Sequence, residues 1–504
     1  MLPIFICSLL LSLAIHLFLL RRHRRRLPPG PPNFPILGAL PLIGPMPHSG
    51  LARLAARHGP IMFLKMGLRP VVVASSSAAA RSFLKTLDAQ FSDRPAGVMS
   101  KQVSYNGQDM VFADYGPGWR LLRKISSIHL LGGKAMARWG DVRRDEVRHM
   151  LQFLRKQGEF GIPVTISDLL VRSMANVIGE IVMSKRVFDE EGKEAKAFKE
   201  MIKGLLVGQG SSNIGDLIPA IGWLDLLGVR KKMMGLHRQF DEMISRLLSE
   251  HAATAGRRRE RPDLLDLIAA GKVAGENGAD ELSEVNIKGF IADLFVAGTD
   301  TSAIVIEWAM TEMLRNPQIL RRAQEEADRV VGRHRLLEES DIPNLPYLQA
   351  VCKEALRKHP PTPLSIPHYT SEPCEVDGYE IPGKTWLLVN IWAIGRDPVV
   401  WTDPLRFDPK RFLKGKMEKI DPMGNYFELI PFGAGRRICA GKQAGMLMVQ
   451  FFLGALLHSF DWSLPEGVVE LDMGEGPGLV LPKAVPLLAL VRPRLPASVY
   501  GCAT

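Results

Sequence analysis

The sequence has few cysteines, and they are scattered. Its 504 residues include five of them, at positions with no paired spacing, whereas a small secreted disulfide-stabilised protein would show a dense, patterned set. This pattern favours a reducing compartment and at most one cysteine that carries chemistry. The five are Cys7, Cys352, Cys374, Cys439 and Cys502.

Nucleotide-binding signatures are missing too. The chain contains no Gly-x-Gly-x-x-Gly fingerprint and no phosphate-loop motif; after Gly433 and Gly435, Ile438 stands where a dinucleotide fingerprint needs its third glycine. Any reducing equivalents that the protein uses must therefore come from a separate protein. There is also no internal repeat and no low-complexity segment, so solenoids and disordered chains are excluded.

Positive charge is in excess, but nucleic-acid motifs do not accompany it. The formal net charge is +11, with one cluster of five arginines between residues 21 and 26 and a second cluster at Arg257–Arg261. Neither cluster comes with zinc-finger spacing, an aromatic RNA-binding signature or a basic leucine zipper. We therefore expect a membrane-flanking run and a solvated loop, and no nucleic-acid partner.

The first twenty residues are almost entirely apolar. Between residues 2 and 20 only Ser8, Ser12 and His16 are polar, and a helix of this length reaches ~28 Å, close to the hydrocarbon thickness of a bilayer. The arginines follow the apolar run and no small-residue cleavage site is present, which disfavours a cleaved signal. Since positive flanks stay cytosolic, the sequence predicts a retained, single-pass anchor with the body of the protein in the cytosol.

Three regions are expected along the chain. Residues 1–20 form the transmembrane anchor, and residues 21–35 form a basic, proline-rich linker that ends the anchor helix, because proline resists helix formation. Residues 36–504 form the remaining soluble part. Average domain sizes would divide it further, but one long apolar helix, from about 286 to 314, argues for a single large domain.

The fold class is expected to be mainly α with small β-sheets. Short apolar runs separated by glycine and proline predict strands between residues 36 and 80 and again between 376 and 391. Helical periodicity dominates from about 118 to 360, and a last helix is predicted at about 441–460. Composition agrees with a folded chain, since 46% of residues are hydrophobic and 23% are charged.

The segment PFGAGRRICAG, residues 431–441, carries the strongest functional signal. A haem iron can take a cysteine thiolate as its axial ligand, and Cys439 lies just before an apolar helix, whose N-terminus favours an anionic sulfur. The glycines permit close backbone approach to a flat cofactor, and the guanidinium of Arg437 suits a haem propionate. The alternative is a glycine-rich turn that contains an inert cysteine.

At five positions this loop matches the cysteine signature of the cytochrome P-450 superfamily, which the chain resembles. The resemblance implies the cytochrome P-450 fold, a haem b cofactor whose iron is bound by Cys439, and cofactor contacts by the other four positions. It also implies a monooxygenase in the endoplasmic reticulum membrane that receives electrons from an NADPH-dependent cytochrome P-450 reductase. The five positions are Phe432, Gly435, Arg437, Cys439 and Gly441.

A second motif, Ala297-Gly298-Thr299-Asp300-Thr301, lies within the long apolar helix. A helix that is apolar nearly all round is buried, threonine hydroxyls can bond back to the preceding turn and bend it, and a carboxylate is rarely buried without a partner. The alternative is a polar patch buried for packing alone. The resemblance implies that Thr301 contacts oxygen and that Asp300 belongs to the proton route, and both are predicted catalytic residues.

Other positions are assigned mainly by resemblance. Glu354 and Arg357, one helical turn apart, are expected to form a buried structural triad with Arg411, although Lys410 stands where the family usually has glutamate. Basic residues near the cysteine loop, such as Arg436, Lys442 and Lys124, are expected to attract an acidic reductase. Trp119 and Arg123, on one helix face, and His368 are expected to contact the haem propionates.

Beyond these motifs, nearly the whole chain resembles the plant flavonoid B-ring hydroxylases, and most closely those of the 3',5' type. The resemblance implies hydroxylation of the B-ring of flavanones, dihydroflavonols and flavones. The segments that carry it are residues 38–48, 105–113, 184–188, 213–219, 390–397 and 425–432. Val480, which could narrow the pocket, and Pro482, which removes a backbone donor, depart from the family pattern.

By the same resemblance the substrate pocket draws on the loop after Arg94, on Gln209–Ser212 and on Thr362–Ile366. Several alternatives stay open at this point. They are a flavonoid 3'-hydroxylase, another plant P-450 oxygenase, a haem-thiolate isomerase or dehydratase, and a non-catalytic haem-binding membrane protein. A protein of either of the last two classes would not need the predicted oxygen-contacting motif at Asp300 and Thr301.

Overall fold

The computed structural model describes residues 27–95, 97, 103–188, 193–210, 214–218, 221, 224–225, 228–258, 260–270, 282–468 and 470–501. The predicted anchor and the arginine run that follows it lie outside these residues. Among the described helices, one is long and apolar enough to cross a membrane, at Glu284–Arg315. Most of its apolar stretch is buried inside the protein, so it is a core helix.

Helices dominate the described residues, as the sequence predicts. In chain order, α1 to α16 are Leu40–Ile43, Pro47–His58, Ser77–Arg81, Pro117–Ser126, Gly133–Arg138, Gly140–Glu159, Ile166–Met183, Lys193–Gly210, Ile214–Leu217, Val229–Ala253, Leu264–Ala269, Glu284–Arg315, Pro317–Val331, Pro346–Lys358, Ile391–Ile394 and Lys442–Ser459. Wider π turns continue α3 and α4 over Ser82–Thr86 and Ser127–Leu131. Short 3-10 segments are Ala255–Arg258, Glu339–Asn344, Pro409–Phe412, Gly415–Lys419 and Ala497–Tyr500.

The strands form small sheets. In chain order, β1 to β9 are Ile61–Met66, Arg69–Ala74, Val164–Thr165, His368–Thr370, Cys374–Val376, Tyr379–Ile381, Thr385–Val389, Phe460–Ser463 and Leu488–Pro493. A four-stranded sheet has the order β1-β2-β7-β4, with β2 and β7 parallel and the other pairs antiparallel. β3-β9-β8 and β5-β6 form antiparallel sheets. This agrees with strands near both ends of the soluble part.

The long helix α12 runs through the core and positions the site. Ser283 and Asn286 begin it with a reciprocal capping box, in which each side chain accepts from the other residue's backbone N–H. It ends at Arg315, before Pro317 begins α13. It contacts α7, α14 and α16, and these packed apolar faces belong to one large core cluster. The predicted helix at about 286–314 is therefore confirmed within two residues at each end.

The proline-rich linker is docked along the first strand. The carbonyl of Pro29 accepts a hydrogen bond from the N–H of Phe63, 3.0 Å away. A Cβ at Gly30 would stand 1.8 Å from the carbonyl oxygen of Phe63, a separation that no side chain tolerates. Glycine at this position therefore lets the linker lie directly against β1.

The predicted triad forms in the interior. Two nitrogens of Arg357 each donate to a carboxylate oxygen of Glu354 at 2.7 Å, and Arg411 Nε donates to the same carboxylate at 3.1 Å. Arg357 also donates to backbone carbonyls, including that of Gly395 at 2.6 Å, so its guanidinium ties α14 to the segment that follows α15. Lys410 is exposed and contributes its backbone N–H to Asp408, so the departure at this position leaves the triad intact.

Candidate functional site

A cavity of about 310 Å³ lies between α12 and the cysteine loop. Most of its wall is apolar, with a small number of polar and charged side chains, which is the usual make-up of a small-molecule site. Cys439 lies on one side of it, and Ala297 and Thr301 of α12 contribute another part of the wall. The structure thus brings the two principal motifs of the sequence together around one space.

The cysteine loop presents the sulfur of Cys439 to this cavity. The backbone N–H of Cys439 donates to the carbonyl of Phe432 at 2.9 Å, which closes the turn. Gly441 caps α16 and lies so close that a Cβ on it would stand 3.9 Å from Sγ of Cys439, and its backbone N–H bonds the sulfur. The side chain is exposed to the cavity, where a metal centre can reach it.

The electrostatics of this thiol fit a metal ligand. Burial raises the pKa of Cys439, whereas the hydrogen bond from Gly441 and the positive charges of Arg123 and Lys442 lower it. A thiol at which burial outweighs these contributions stays protonated until a cation takes the proton's place. A bound metal ion would deprotonate it outright, so the loop is suited to iron and less suited to an unassisted nucleophile.

Arg437 supplies an independent sign that an anion belongs in the cavity. Its Nε and Nη2 donate to the carbonyls of Ser92 and Ala113 at 2.5 and 2.7 Å, but its Nη1 is buried and has no partner. A buried unsatisfied guanidinium nitrogen is costly. A propionate carboxylate would satisfy it, so the residues present fit a haem at this position.

Arg123 and Trp119 lie beside Arg437, on α4. Arg123 donates to the carbonyl of Ile438 at 2.9 Å, and its guanidinium lies over the indole ring of Trp119, as does that of Arg437. The indole N–H donates to the carbonyl of Met110 at 3.1 Å. In this arrangement Trp119 packs against both guanidinium groups, and all three residues line the cavity.

His368 lines the same region but is neutral. Burial, then the charges of Arg94 and Arg437, lower its pKa to about 3. Its Nδ1 lies 2.9 Å from the carbonyl of Phe91 and must carry the proton there, which leaves Nε2 as an acceptor. In this tautomer the ring cannot donate to a propionate, so its predicted contact requires a second proton on the ring.

Arg94 is a wall residue whose role the sequence reasoning missed. Its guanidinium donates to the carbonyls of Val111, Ile366 and Pro367 at 2.7 to 3.1 Å, and it lines the cavity beside His368. Burial lowers its pKa to about 9. A lone arginine before a proline gives no local signal of this position, which depends on contacts across 272 and 273 residues of sequence.

The two remaining signature positions differ in placement. Phe432 lines the cavity. Gly435 is not among the lining residues; its φ is +72°, and a Cβ on it would stand 2.3 Å from the carbonyl oxygen of Leu84. Glycine at 435 therefore serves to seat the loop on the neighbouring segment, and a cofactor contact by this residue stays a prediction.

On α12 the two predicted catalytic residues face different ways. Thr301 lines the cavity, and its hydroxyl donates to the carbonyl of Ala297 at 2.7 Å. Asp300 is not a lining residue, and its nearest charges are Lys199 and Lys203 of α8. Burial raises the pKa of Asp300 to about 6, although the positive charges of Lys199 and Lys203 lower it. Asp300 can therefore exchange a proton near neutral pH. Its side chain lies on the side of α12 that adjoins the cavity-lining side.

The predicted substrate segments also line the cavity. Gln209, Thr362 and Val480 are among its wall residues. Leu479 is held against α8 through its N–H, which donates to the carbonyl of Leu206 at 3.0 Å. Residues 211–212 and most of the loop after Arg94 lie outside the described residues. Val480 is buried in the cavity wall, and a narrowing of the pocket by this side chain stays a prediction.

Three comparisons with known proteins agree with this geometry. A family model described as "Cytochrome P450" matches residues 28–489. A flavonoid 3',5'-hydroxylase of Eustoma exaltatum subsp. russellianum is 55% identical over 95% of this chain and 93% of its own. A flavonoid 3'-monooxygenase of Petunia hybrida is 46% identical over 98% of each chain.

The fold is also similar to that of solved cytochrome P450 structures. A zebrafish cytochrome P450 structure with progesterone superposes with a TM-score of 0.74 and 28% identity, covering 89% of this chain and 99% of that one. Family members of this type are haem-thiolate enzymes, and the cysteine loop, the cavity and the long helix of this chain are arranged accordingly. On these grounds the chain is a haem-thiolate monooxygenase and belongs to the cytochrome P450 family.

Proposed function

We propose that the thiolate of Cys439 would ligate the iron of a haem b, and that Arg437, Arg123 and Trp119 would hold its propionates. The observation that carries this proposal is the shared cavity, in which Sγ of Cys439 and the groove at Thr301 line a single space. When bound, the haem supplies oxygen activation, and its thiolate ligand favours O–O cleavage. Phe432 and Gly441 complete the proposed cofactor contacts, and His368 joins them when a bound propionate supplies the second proton on its ring.

The chain's own residues position the substrate and control protons. The apolar wall excludes bulk water from the reacting ring. Thr301 holds a hydroxyl at the cavity surface, where it can pass a proton to a bound ligand, and Asp300 can resupply protons because its pKa is about 6. The neighbouring lysines on α8, Lys199 and Lys203, limit the rise of that pKa.

Replacement of Thr301 by alanine tests this proton route. Thr301→Ala should leave haem binding intact and uncouple NADPH oxidation from product formation, lowering product per NADPH by about tenfold or more, since positioned proton donors contribute ~10²–10⁴ in rate. The measurement is the ratio of hydroxylated product to NADPH consumed in a reductase-containing membrane preparation.

Thr299 offers a matched control. Its hydroxyl makes the same bond to the preceding turn, donating to the carbonyl of Phe295 at 2.7 Å, but it is fully buried and does not line the cavity. Thr299→Ala should keep normal coupling. Equal uncoupling in both variants would show that the helix backbone, and not the Thr301 hydroxyl, governs coupling.

For the substrate, we infer that the enzyme hydroxylates the B-ring of flavonoids at the 3' and 5' positions. The greater identity to the 3',5'-hydroxylase than to the 3'-monooxygenase, 55% against 46%, supports the 3',5' choice. An apolar cavity with scattered polar groups suits a flat polyphenol. We expect Val480 to reduce the width of the cavity. Entry of a B-ring that already carries one new hydroxyl is therefore the step with the greatest steric restriction.

Product analysis with naringenin and its 3'-hydroxylated derivative tests the substrate. We expect both to be converted, and the 3',5'-dihydroxylated product to accumulate from each when reductase and NADPH are supplied. Accumulation of the 3'-product alone would indicate a flavonoid 3'-hydroxylase. Absence of turnover with both would overturn the flavonoid assignment.

Membrane attachment and the electron donor complete the proposal. Residues 1–20 would anchor the chain in the endoplasmic reticulum membrane, residues 21–35 would link it, and residues 36–504 would form the cytosolic monooxygenase domain. The donor would be the NADPH-dependent cytochrome P-450 reductase. On the side of the cysteine loop, the exposed Arg436 pairs with Asp88 at 2.8 Å and stays open to solvent, which suits attraction of an acidic partner.

A further inference from the structure

Two aspartates meet in the wall of the cavity, away from the cysteine loop. Asp109 precedes α4, and Asp293 lies in the first half of α12; both line the cavity, and their carboxyl groups interact directly. Asp109 is almost fully buried, whereas Asp293 is half-buried. Asp109 lies within the segment 105–113 named above, but neither aspartate has been given a role, and the proposed proton route does not use them.

Backbone donors hold both carboxyl groups in place. Oδ2 of Asp293 accepts from the N–H groups of Met110 and Val111 at 2.7 and 3.2 Å. Oδ1 of Asp109 accepts from the N–H of Phe112 at 3.0 Å. These bonds fix the loop before α4 against α12 and fix the direction in which the carboxyl groups point.

Their surroundings prevent both groups from being ionised together. Burial raises the pKa of Asp109 to about 6, and burial followed by the charge of Asp109 raises that of Asp293 well above its ordinary value. Arg94 and Arg437 are the cations that interact with Asp109. The pair therefore presents one negative charge and one proton within a mostly apolar wall.

The position of Asp293 along α12 sets its distance from Thr301, where the reaction is proposed to take place. Asp293 precedes Thr301 by eight residues, which is a rise of ~12 Å at 1.5 Å per residue. That separation is comparable to the length of a three-ring phenolic compound. A substrate whose reacting ring lies beside Thr301 would bring its opposite ring to the aspartate pair.

We propose that Asp109 is a specificity-determining residue that accepts a hydrogen bond from the A-ring 7-hydroxyl of the substrate, and that Asp293, which carries the proton of the pair, is the positioning residue that holds it. This proposal rests on the flavonoid assignment and adds to it the end of the substrate that is recognised. A polar acceptor in an apolar wall discriminates strongly against a ligand that lacks the matching hydroxyl, because the acceptor then stays unpaired.

The test compares two flavanones by the haem absorbance change that ligand binding causes, in the complete membrane-bound enzyme. One is naringenin, and the other is its analogue without the 7-hydroxyl. The unaltered enzyme should bind naringenin more tightly by about tenfold or more, as expected for a hydrogen bond to a charged group. In Asp109→Asn the charge is lost, so the preference should fall to within about threefold.

Asp293→Asn is the matched variant. Its amide oxygen can accept from the same backbone N–H groups and its amide NH2 can replace the Asp293 proton as donor to Asp109, so the carboxylate of Asp109 stays in place and the preference for naringenin should persist. Asparagine keeps an acceptor for the backbone donors at both positions, and an unchanged carbon-monoxide spectrum will verify folding. If Asp109→Asn does not fold, the unaltered enzyme is tested with naringenin, its analogue without the 7-hydroxyl and the 7-O-methyl ether of naringenin. Equal binding of the three ligands would then count against the proposal.

The remaining outcomes separate this proposal from the flavonoid assignment. Equal binding of both flavanones by the unaltered enzyme, with B-ring hydroxylation of each, would overturn the role of Asp109 and leave the function standing. An unchanged preference in Asp109→Asn would mean that the pair only attaches the loop before α4 to α12. Failure of the unaltered enzyme to bind either flavanone would overturn the flavonoid assignment itself.

Discussion

Cys439→Ala should abolish the carbon-monoxide difference spectrum of a thiolate-ligated haem and all hydroxylation. The substitution removes the sulfur proposed to ligate the iron while leaving the turn that presents it, because the N–H of residue 439 still donates to the carbonyl of Phe432. Without the thiolate, the electron donation that favours O–O cleavage is lost. The measurement is the reduced carbon-monoxide spectrum and the haem content of the purified protein.

Cys374 is the control for this substitution. It lies at the start of β5, is half-buried and does not line the cavity. Cys374→Ala should retain the thiolate spectrum and full activity. A normal thiolate spectrum in Cys439→Ala, or its loss in Cys374→Ala, would contradict the assignment of the ligand.

Arg357→Ala should destabilise the whole domain. The change leaves the carboxylate of Glu354 buried with only Arg411 as a charged partner, and it leaves the carbonyls of Gly395 and Pro404 without this donor. Removing one partner of a buried ion pair costs about 3–5 kcal/mol. We expect little folded, haem-containing protein, measured as the yield of the carbon-monoxide spectrum and as the midpoint of urea unfolding.

Lys410→Glu is the matched surface change. This side chain is exposed, and Lys410 takes part in the local structure through its backbone N–H and carbonyl, so the urea midpoint should change little, as is usual for exposed charged side chains. A loss as large as that in Arg357→Ala would mean that Lys410 contributes to the triad region. A stable Arg357→Ala protein would refute a structural role for the triad.

Local sequence patterns predicted the elements that rely on local physics. The long helix was predictable because its apolar residues extend around the whole helix and a capping box starts it at Ser283. The turn at Cys439 was predictable because glycines recur where the backbone approaches its neighbours closely. The spacing of Glu354 and Arg357 predicted a shared helix face, whereas Arg411 entered through resemblance alone.

Features that depend on distant contacts were not predictable in this way. Arg94 and Asp109 acquire their roles only when the segments before α4 pack against α12 and β4. The orientation of Asp300 away from the cavity wall follows from how α12 is rotated against α8, which periodicity does not reveal in a helix that is apolar nearly all round. The neutral tautomer of His368 likewise depends on the carbonyl of Phe91, 277 residues away in sequence.

The most direct test of the central claim is the source of the oxygen atom in the product. Naringenin is incubated with the membrane-bound enzyme, reductase, NADPH and isotopically labelled dioxygen, and the product is examined by mass spectrometry. We predict one labelled oxygen atom for each new B-ring hydroxyl and no product without reductase. Label that enters from water instead, or equal turnover without reductase, would contradict a monooxygenase built around Cys439.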